Sequence, residues 1–156
     1  MRRAIAIGLV SAQFLLFGAL ILLPHGLLWP LNVGVLTAGI ALVLAGAILA
    51  LLGARGLGSA LTASPIPKEN APLVTSGVYG LVRNPIYSGL MAGGLGLALF
   101  GASVWHLLAL SALVLLLSAK TRWEERMLVA EHPDFRRYGA RVGRFLPGVG
   151  RLRSPA

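Results

Sequence analysis

The sequence contains no cysteine and only five acidic residues. Without cysteine it can form no disulfide, no thiolate nucleophile and no cysteine-ligated zinc site. The three histidines lie at positions 25, 106 and 132, without the close spacing that is typical of metal ligands. We therefore expect no metal site.

Charge of either sign is scarce, since charged residues make up 12% of the 156 residues and hydrophobic residues 56%. This composition is too apolar for a soluble domain of this size. Fourteen basic residues stand against five acidic ones, which gives a net charge of +9. Such an excess is typical of nucleic-acid binding and also of segments beside anionic lipid headgroups, so the positions of the basic residues must decide.

Two long stretches, 4–54 and 84–119, carry no charged residue. At about 1.5 Å per residue, each can cross a hydrocarbon core roughly 30 Å thick twice. Prolines and glycines between 24 and 32 interrupt the first stretch, and 101–103 is a plausible reversal in the second. We predict a single all-α integral membrane domain with transmembrane helices over 4–23, 33–53, 86–102 and 104–119. A cytoplasmic loop over 54–85 and a cytoplasmic C-terminal segment over 120–156 complete the prediction.

The basic residues also predict the orientation. If Arg2 and Arg3 are cytoplasmic, four spans bring Arg55, Arg83, Lys120 and every later arginine to that same side, and both opposite loops are uncharged. This is the pattern that the positive-inside rule requires. We therefore expect a multi-pass cell-membrane protein with both termini cytoplasmic, membrane lipids as partners and no nucleic acid.

The segment after the fourth span should continue as helix through 120–132 and stop at Pro133. Asp134 is then expected to cap a short helix that has Phe135 and Tyr138 on one face and arginines on the other. Such a helix would lie on the membrane or fold over the cytoplasmic loop.

No Asp, Glu, Lys or Arg lies within a predicted span, which disfavours a transporter or a proton relay. Polar residues gather instead at the cytoplasmic ends of the third and fourth helices. Because these two helices form a hairpin, the two groups can form one site. The groups are Tyr79, Arg83, Asn84, Pro85 and Tyr87 before and within the third helix, and Lys120, Arg122, Glu124 and Glu125 after the fourth span.

Three segments occur in order around this hairpin: LVTSGVYGLVRNPIYSG at 73–89, EERML at 124–128 and FRRYGARVGRFLP at 135–147. Together they resemble the isoprenylcysteine carboxyl methyltransferase family and its bacterial relatives, which are related to phospholipid N-methyltransferases. The resemblance implies S-adenosylmethionine as the cofactor, held between the loop before the third helix and the helix after the fourth. By position it implies cofactor contacts from Leu73, Val74, Tyr79, Asn84, Pro85, Tyr87 and Glu124. It also implies that Lys120 faces the methyl acceptor, and we assign Arg122 to the same side.

The chain departs from the family at Asn84 and Lys120, which are among these positions, and also at Ala71. Asn84 and Ala71 stand where the family commonly has histidine, so the hydrogen bonds to the adenosine are expected to differ. Lys120 stands where the family often has arginine, which weakens the expectation of bidentate carboxylate recognition.

The chemistry of the donor supports the same assignment, because it carries a sulfonium cation, an amino group and a carboxylate. Tyr79 and Tyr87 can supply ring faces or hydroxyls, Glu124 can pair with the amino group, and Arg83 can meet the carboxylate. Methyl transfer needs no covalent catalyst, so we assign no catalytic residue.

Each element also has a simpler interpretation when it is taken alone. Arg83 to Pro85 can be a helix start with a membrane anchor, Glu124 a solvated residue, and the spacing of Gly89 and Gly93 close helix packing. The joint pattern favours a membrane methyltransferase with a lipophilic or membrane-delivered acceptor, whose methylated group is a carboxylate, an amine or a thiol. The alternatives are an NADPH-dependent membrane reductase of similar scaffold and a non-enzymatic membrane scaffold protein.

Overall fold

The computed structural model describes residues 2–62, 66 and 71–153, and within them the chain is helical. Five α-helices follow in order: α1 (Arg2–Leu22), α2 (Val33–Leu57), α3 (Pro85–Gly101), α4 (Val104–Glu131) and α5 (Phe135–Arg141). Between α2 and α3, the described positions include two short 3₁₀ helices, at Gly58–Ala60 and Gly77–Gly80. The described residues contain no β-strand, only an isolated bridge between Val82 and Gly143. The predicted all-α class is confirmed.

In the part of the chain that the structure describes, three helices are long and apolar enough to cross a membrane, namely Arg3–Leu22, Val33–Ala60 and Val104–Glu131. The apolar helix α3 has 17 residues, at the lower limit of roughly 17–25 residues for a span. The predicted loop over 54–85 begins later than expected, because α2 continues to Leu57 and ends at Gly58, whose φ of 49° favours glycine. Positions 63–65 and 67–70 of that loop, with Lys68, lie outside the described residues, as do 154–156 of the C-terminal segment.

The helices α2 and α3 pack along a seam of glycines. Gly39, Gly46 and Gly53 recur every seven residues, or about two helical turns, and therefore share one face of α2. A Cβ atom added to Gly46 would lie 2.7 Å from the backbone nitrogen of Gly93. Such small residues let two backbones approach closely. The expected close packing at Gly89 and Gly93 is confirmed, and it lies within the chain.

The uncharged end of the bundle, where α1 and α3 end, is closed by a tight reversal. Ala102 adopts a left-handed conformation with a φ of 43°, and Ser103 caps α4. The Ser103 hydroxyl is 2.8 Å from Nδ1 of His106, which is buried. The backbone N–H of Gly26 donates to the carbonyl of Gly101 at 2.8 Å, so the α1–α2 connection is fixed to the α3–α4 reversal.

Helix α1 packs against α4 and, less extensively, against α3. Leu20, Leu113 and Leu117 are the large fully buried side chains of this contact. Since α2 packs on α3 and α1 packs chiefly on α4, the first two helices are held apart by the second hairpin.

The last turn of α4 and the helix α5 form the predicted C-terminal unit, and α4 ends at Glu131, just before Pro133. Phe135 and Tyr138 are buried. The expected cap is wrong in one respect, because the side chain of Asp134 makes no capping hydrogen bond. Asp134 itself has helical backbone angles, from which a side chain cannot reach the next turn as an N-cap does.

Candidate functional site

A cavity of about 370 Å³ opens at the charged end of the bundle, where α1 and α3 begin and the apolar part of α4 ends. Its walls come from α1, α2, the segments 60–62 and 71–74, the start of α3, α4 and α5. A volume of this size falls within the range of roughly 300–1,000 Å³ that is typical of small-molecule sites. Polar residues from both predicted groups, the one around the start of α3 and the one on α4, meet here.

Most of the predicted site residues line this cavity: Leu73, Val74, Tyr79, Arg83, Asn84, Tyr87, Lys120 and Glu124. Two of them do not. Pro85 is buried against α2, where a Cβ atom on Gly53 would lie 3.0 Å from the proline ring. Arg122 is exposed on the surface of α4. The helical rotation explains the second case, because Arg122 lies about 200° around the axis from Lys120.

A cluster of four polar side chains lies in the cavity, and we call Gln13, Tyr87, Lys120 and Glu124 the cavity cluster. The Tyr87 hydroxyl donates to Oε2 of Glu124 at 3.0 Å. The ammonium nitrogen of Lys120 donates to Oε1 of Gln13 at 2.8 Å and lies 5.0 Å from the centre of the Tyr87 ring. Among the described residues, Oε1 of Glu124 accepts no hydrogen bond. The cluster therefore keeps both an acid and a base with unused hydrogen-bonding capacity.

Gln13 was missed by the sequence interpretation, which considered only charged residues within the spans. A signal for it exists, since Gln13 is the most polar side chain in the run from 4 to 23. A side-chain amide in a membrane helix is costly unless it finds a partner. Lys120 supplies that partner.

Arg83 was predicted to bind a ligand carboxylate, but its side chain instead binds groups of the protein itself. Its Nε donates to Oε1 of Glu125 at 3.0 Å, and the pair is almost completely buried. The remaining nitrogens donate to carbonyl oxygens of the C-terminal segment: Gly139 at 2.9 Å, Gly150 at 3.0 Å and Val142. Most of the N–H groups of Arg83 are therefore used within the chain.

Glu125 joins this network from the other side. Nε and Nη2 of Arg144 donate to its Oε2 at 3.0 and 2.7 Å, so one carboxylate is shared by two guanidinium groups. We call Arg83, Glu125 and Arg144 the arginine hub. It fastens the segment after α5 to the start of α3, because the backbone N–H of Arg83 also donates to the carbonyl of Gly143 at 2.8 Å.

Two further tyrosines fix the cavity wall by donating to backbone carbonyls. Tyr138 donates to the carbonyl of Tyr79 at 2.6 Å, and Tyr79 donates to that of Gly53 at 3.2 Å. Burial raises the pKa of Tyr79, and it raises the pKa of Tyr138 to about 12. Both phenols therefore remain protonated donors at neutral pH, and they link α5 through the loop to the end of α2.

The cavity also has side chains that were not predicted to line it, including Val10, Phe14, Ala54, Leu57, Leu128 and His132. Most are apolar, whereas the polar groups cluster on α3 and α4. Such a site suits a ligand that carries both charges and an apolar portion. The described residues place no group of three or more His, Asp and Glu side chains where it could hold a metal ion.

Comparison with known proteins adds two findings. A family model described as phospholipid methyltransferase matches residues 35–133, which cover α2 from its third residue onward and all of α3 and α4. The chain is also similar to the cobalt-zinc-cadmium resistance protein CzcN of Cupriavidus metallidurans, with 39% identity over 88 residues. That match covers 55% of this chain and 40% of the relative, so the chain spans less than half of the relative's length.

Proposed function

The chain belongs to the phospholipid methyltransferase family, and from this premise we propose that it transfers a methyl group from S-adenosylmethionine to a lipophilic acceptor at a membrane surface. The observation that carries the proposal is the cavity cluster, in which a carboxylate, an ammonium group and a tyrosine share one partly apolar cavity. When bound, S-adenosylmethionine supplies an electrophilic methyl group on a sulfonium centre.

The donor chemistry fits the residues that are present. The unused oxygen of Glu124 can accept from an amino group, and the rings of Tyr79 and Tyr87 offer electron-rich faces to a cation. Leu73 and Val74 line the cavity, and their backbone groups can bind the adenine or ribose. Arg83 contributes by holding the cavity wall rather than by binding the donor carboxylate.

Lys120 and Gln13 are proposed to hold the acceptor group. Both line the cavity, Lys120 is almost completely buried, and it uses only one of its three N–H groups within the described residues. No covalent catalyst is needed: the chain would act by aligning the two reactants and by excluding water.

We propose that the acceptor enters between α1 and α2. Phe14 on α1 and Leu57 on α2 both line the cavity, and Phe14 is 66% exposed at its edge. A lipophilic molecule can reach this opening from the bilayer, while a water-soluble donor can enter past the segments 60–62 and 71–74. Replacement of Phe14 by Trp should then raise the KM for the acceptor with little change in donor affinity.

The proposed orientation places both termini and the cavity in the cytoplasm, in a multi-pass cell-membrane protein. Reporters fused after Arg3, at Lys68 and after Ala156 should all be cytoplasmic, whereas one inserted at Gly26 should lie on the other side. A reporter at Lys68 found outside would overturn the four-span arrangement.

The metal-resistance role of the relative is not part of the proposal. The match covers 40% of that protein, and no feature of the described cavity favours a metal as ligand. The acceptor class stays open among a carboxylate, an amine and a thiol.

Calorimetry with the purified protein in detergent tests the donor assignment, with NADPH as the comparison ligand. We expect saturable binding of S-adenosylmethionine and none of NADPH. Transfer of labelled methyl groups to a farnesylated cysteine, to phosphatidylethanolamine and to a long-chain thiol then separates the acceptor classes. Binding of NADPH alone would favour a reductase. If neither ligand binds, the result would favour a non-enzymatic scaffold protein.

A further inference from the structure

A compact turn follows the arginine hub at 145–150. The backbone N–H of Arg144 donates to the carbonyl of Val149 at 2.7 Å, and that of Val149 donates to the carbonyl of Leu146 at 3.1 Å. Gly148 and Gly150 have φ angles of 77° and 72°, which favour glycine. The turn therefore has a defined shape.

This turn presents apolar side chains to its surroundings. Leu146 is 63% exposed and Val149 is 60% exposed, although Phe145, at the start of the turn, is partly buried. These values are close to that of Leu115, which is 71% exposed in the apolar run of α4. Since exposed leucine on an ordered tip is unfavourable in water, the tip has the property of a surface that contacts lipid or protein.

Hydrogen bonds fix the depth of the turn relative to the helices. The hydroxyl of Ser88, one turn into the apolar helix α3, donates to the carbonyl of Phe145 at 2.8 Å. The backbone N–H of Asn84 donates to the carbonyl of Arg144 at 3.2 Å. The turn therefore lies level with the first turn of α3, which is where a membrane-spanning helix leaves the headgroup region.

The charges beside the turn select one kind of partner. Residues 135–156 contain six arginines and no acidic residue. Arg151 and Arg153 are exposed, and neither has a carboxylate partner within the described part of the chain. The guanidinium of Arg151 lies at the turn, 3.6 Å from where a Cβ atom of Gly148 would be. An apolar tip flanked by unpaired arginines complements an anionic phospholipid surface.

We propose that the turn at 145–150 is a membrane-interface anchor whose partner is anionic phospholipid. Leu146 and Val149 enter the boundary between headgroups and acyl chains, and Arg151 and Arg153 contact the phosphates. This inference does not depend on the methyl-transfer proposal, because it uses only the surface of the turn and its depth.

The absence of cysteine from the natural sequence makes a clean test possible. Leu146→Cys and Val149→Cys are labelled with an environment-sensitive fluorophore in the full chain, which is placed in phosphatidylcholine nanodiscs with or without phosphatidylglycerol. A nitroxide quencher is attached high on the lipid acyl chains. Leu115→Cys is the lipid-facing reference, and Glu131→Cys, exposed about 18 Å beyond the end of the apolar run of α4, is the water reference.

Quenching at 146 and 149 should approach that at 115 and exceed that at 131 severalfold, with a further increase in the anionic discs. Arg151→Gln combined with Arg153→Gln should remove the increase. Quenching no stronger than at 131 would overturn the proposal. Quenching that is equal in both lipids would overturn the anionic partner, and label self-quenching that requires two chains per disc would assign the turn to a second copy.

Discussion

Glu124 and Glu125 are neighbours on α4, yet they belong to two different parts of the charged end. Glu125, in the arginine hub, accepts from Arg83 and from both Nε and Nη2 of Arg144. Glu124, in the cavity cluster, accepts one hydrogen bond from Tyr87. A rotation of about 100° per residue directs the two carboxylates into these different surroundings.

The difference lies in how completely each carboxylate is used. In the hub, buried charges of opposite sign satisfy one another, and such a network fixes geometry. In the cavity cluster, an acid and a base share a cavity but form no ion pair with each other within the described residues. A ligand can therefore add charge-assisted hydrogen bonds there, whereas the hub has little capacity left. The comparison predicts that damage to the hub is structural and damage to the cluster is functional.

Removal of residues 134–156 should have the largest effect, because it deletes Arg144 of the hub, the carbonyl groups that Arg83 binds, and the cavity residues Phe135 and Tyr138. We expect the shortened protein to insert in the membrane but to show no donor binding by calorimetry. Removal of 154–156 alone is the control and should bind normally. Normal donor binding by the shortened protein would show that the C-terminal segment is no part of the site.

Arg83→Met tests the hub with a single substitution. The substitution leaves Glu125 and several carbonyl groups buried with fewer hydrogen-bond donors. Breaking a buried ion pair of this kind typically costs about 3–5 kcal/mol. Thermal unfolding in detergent should show a clearly lowered Tm. Arg136→Met, on the exposed face of α5, is the control. Equal Tm values for the two variants would contradict a structural role for Arg83.

The helices could be predicted from the sequence because their signal is local. The charge-free runs predicted where the apolar helices lie. The small residues from Gly101 to Ser103 predicted the reversal between α3 and α4 to within a few residues. The end of α2 was harder to predict from the sequence. Arg55 was interpreted as one of the first residues of the loop, although a basic residue is favourable in the last turn of a helix.

The site could be predicted only in part, because contacts between distant residues decide the roles within it. The hairpin brought Tyr87 and Glu124 together as expected. No local pattern indicates that Arg83 bonds with carbonyls 56 to 67 residues later in the chain, or that Gln13 accepts from Lys120 across 107 residues. These contacts depend on how α1 and the C-terminal segment pack, which the periodicity of single helices does not contain.

Glu124→Gln and Glu125→Gln compare the cavity cluster with the hub at two adjacent residues. In the proposed complex, Glu124 accepts a charge-assisted hydrogen bond from the amino group of S-adenosylmethionine, and a bond of this kind is worth roughly 1.5–3 kcal/mol. The first substitution should therefore lower the affinity for S-adenosylmethionine about ten- to a hundredfold. Its Tm should hardly change. Glu125→Gln should instead lower the Tm, because two guanidinium groups lose their shared charge. Calorimetry and thermal unfolding on both variants check this. If Glu124→Gln lowered only the Tm and Glu125→Gln lowered only the affinity for S-adenosylmethionine, the roles of the two residues would be reversed.

Whereas the ion pair of Arg83 and Glu125 in the hub is buried, Asp134 and Arg137 form an exposed ion pair, and the smallest effect is expected there. The two side chains are 80% and 75% exposed, and their nearest charged atoms are 3.5 Å apart. Solvent weakens such a pair, so Asp134→Ala should leave both Tm and donor affinity within experimental error. A capping role would give a different pattern, because alanine would then be destabilising by about 1 kcal/mol while asparagine would restore the cap. Asp134→Ala and Asp134→Asn should therefore be indistinguishable in thermal unfolding. A loss with alanine that asparagine repairs would show that α5 depends on Asp134 as a cap, although the structure gives its side chain no capping hydrogen bond.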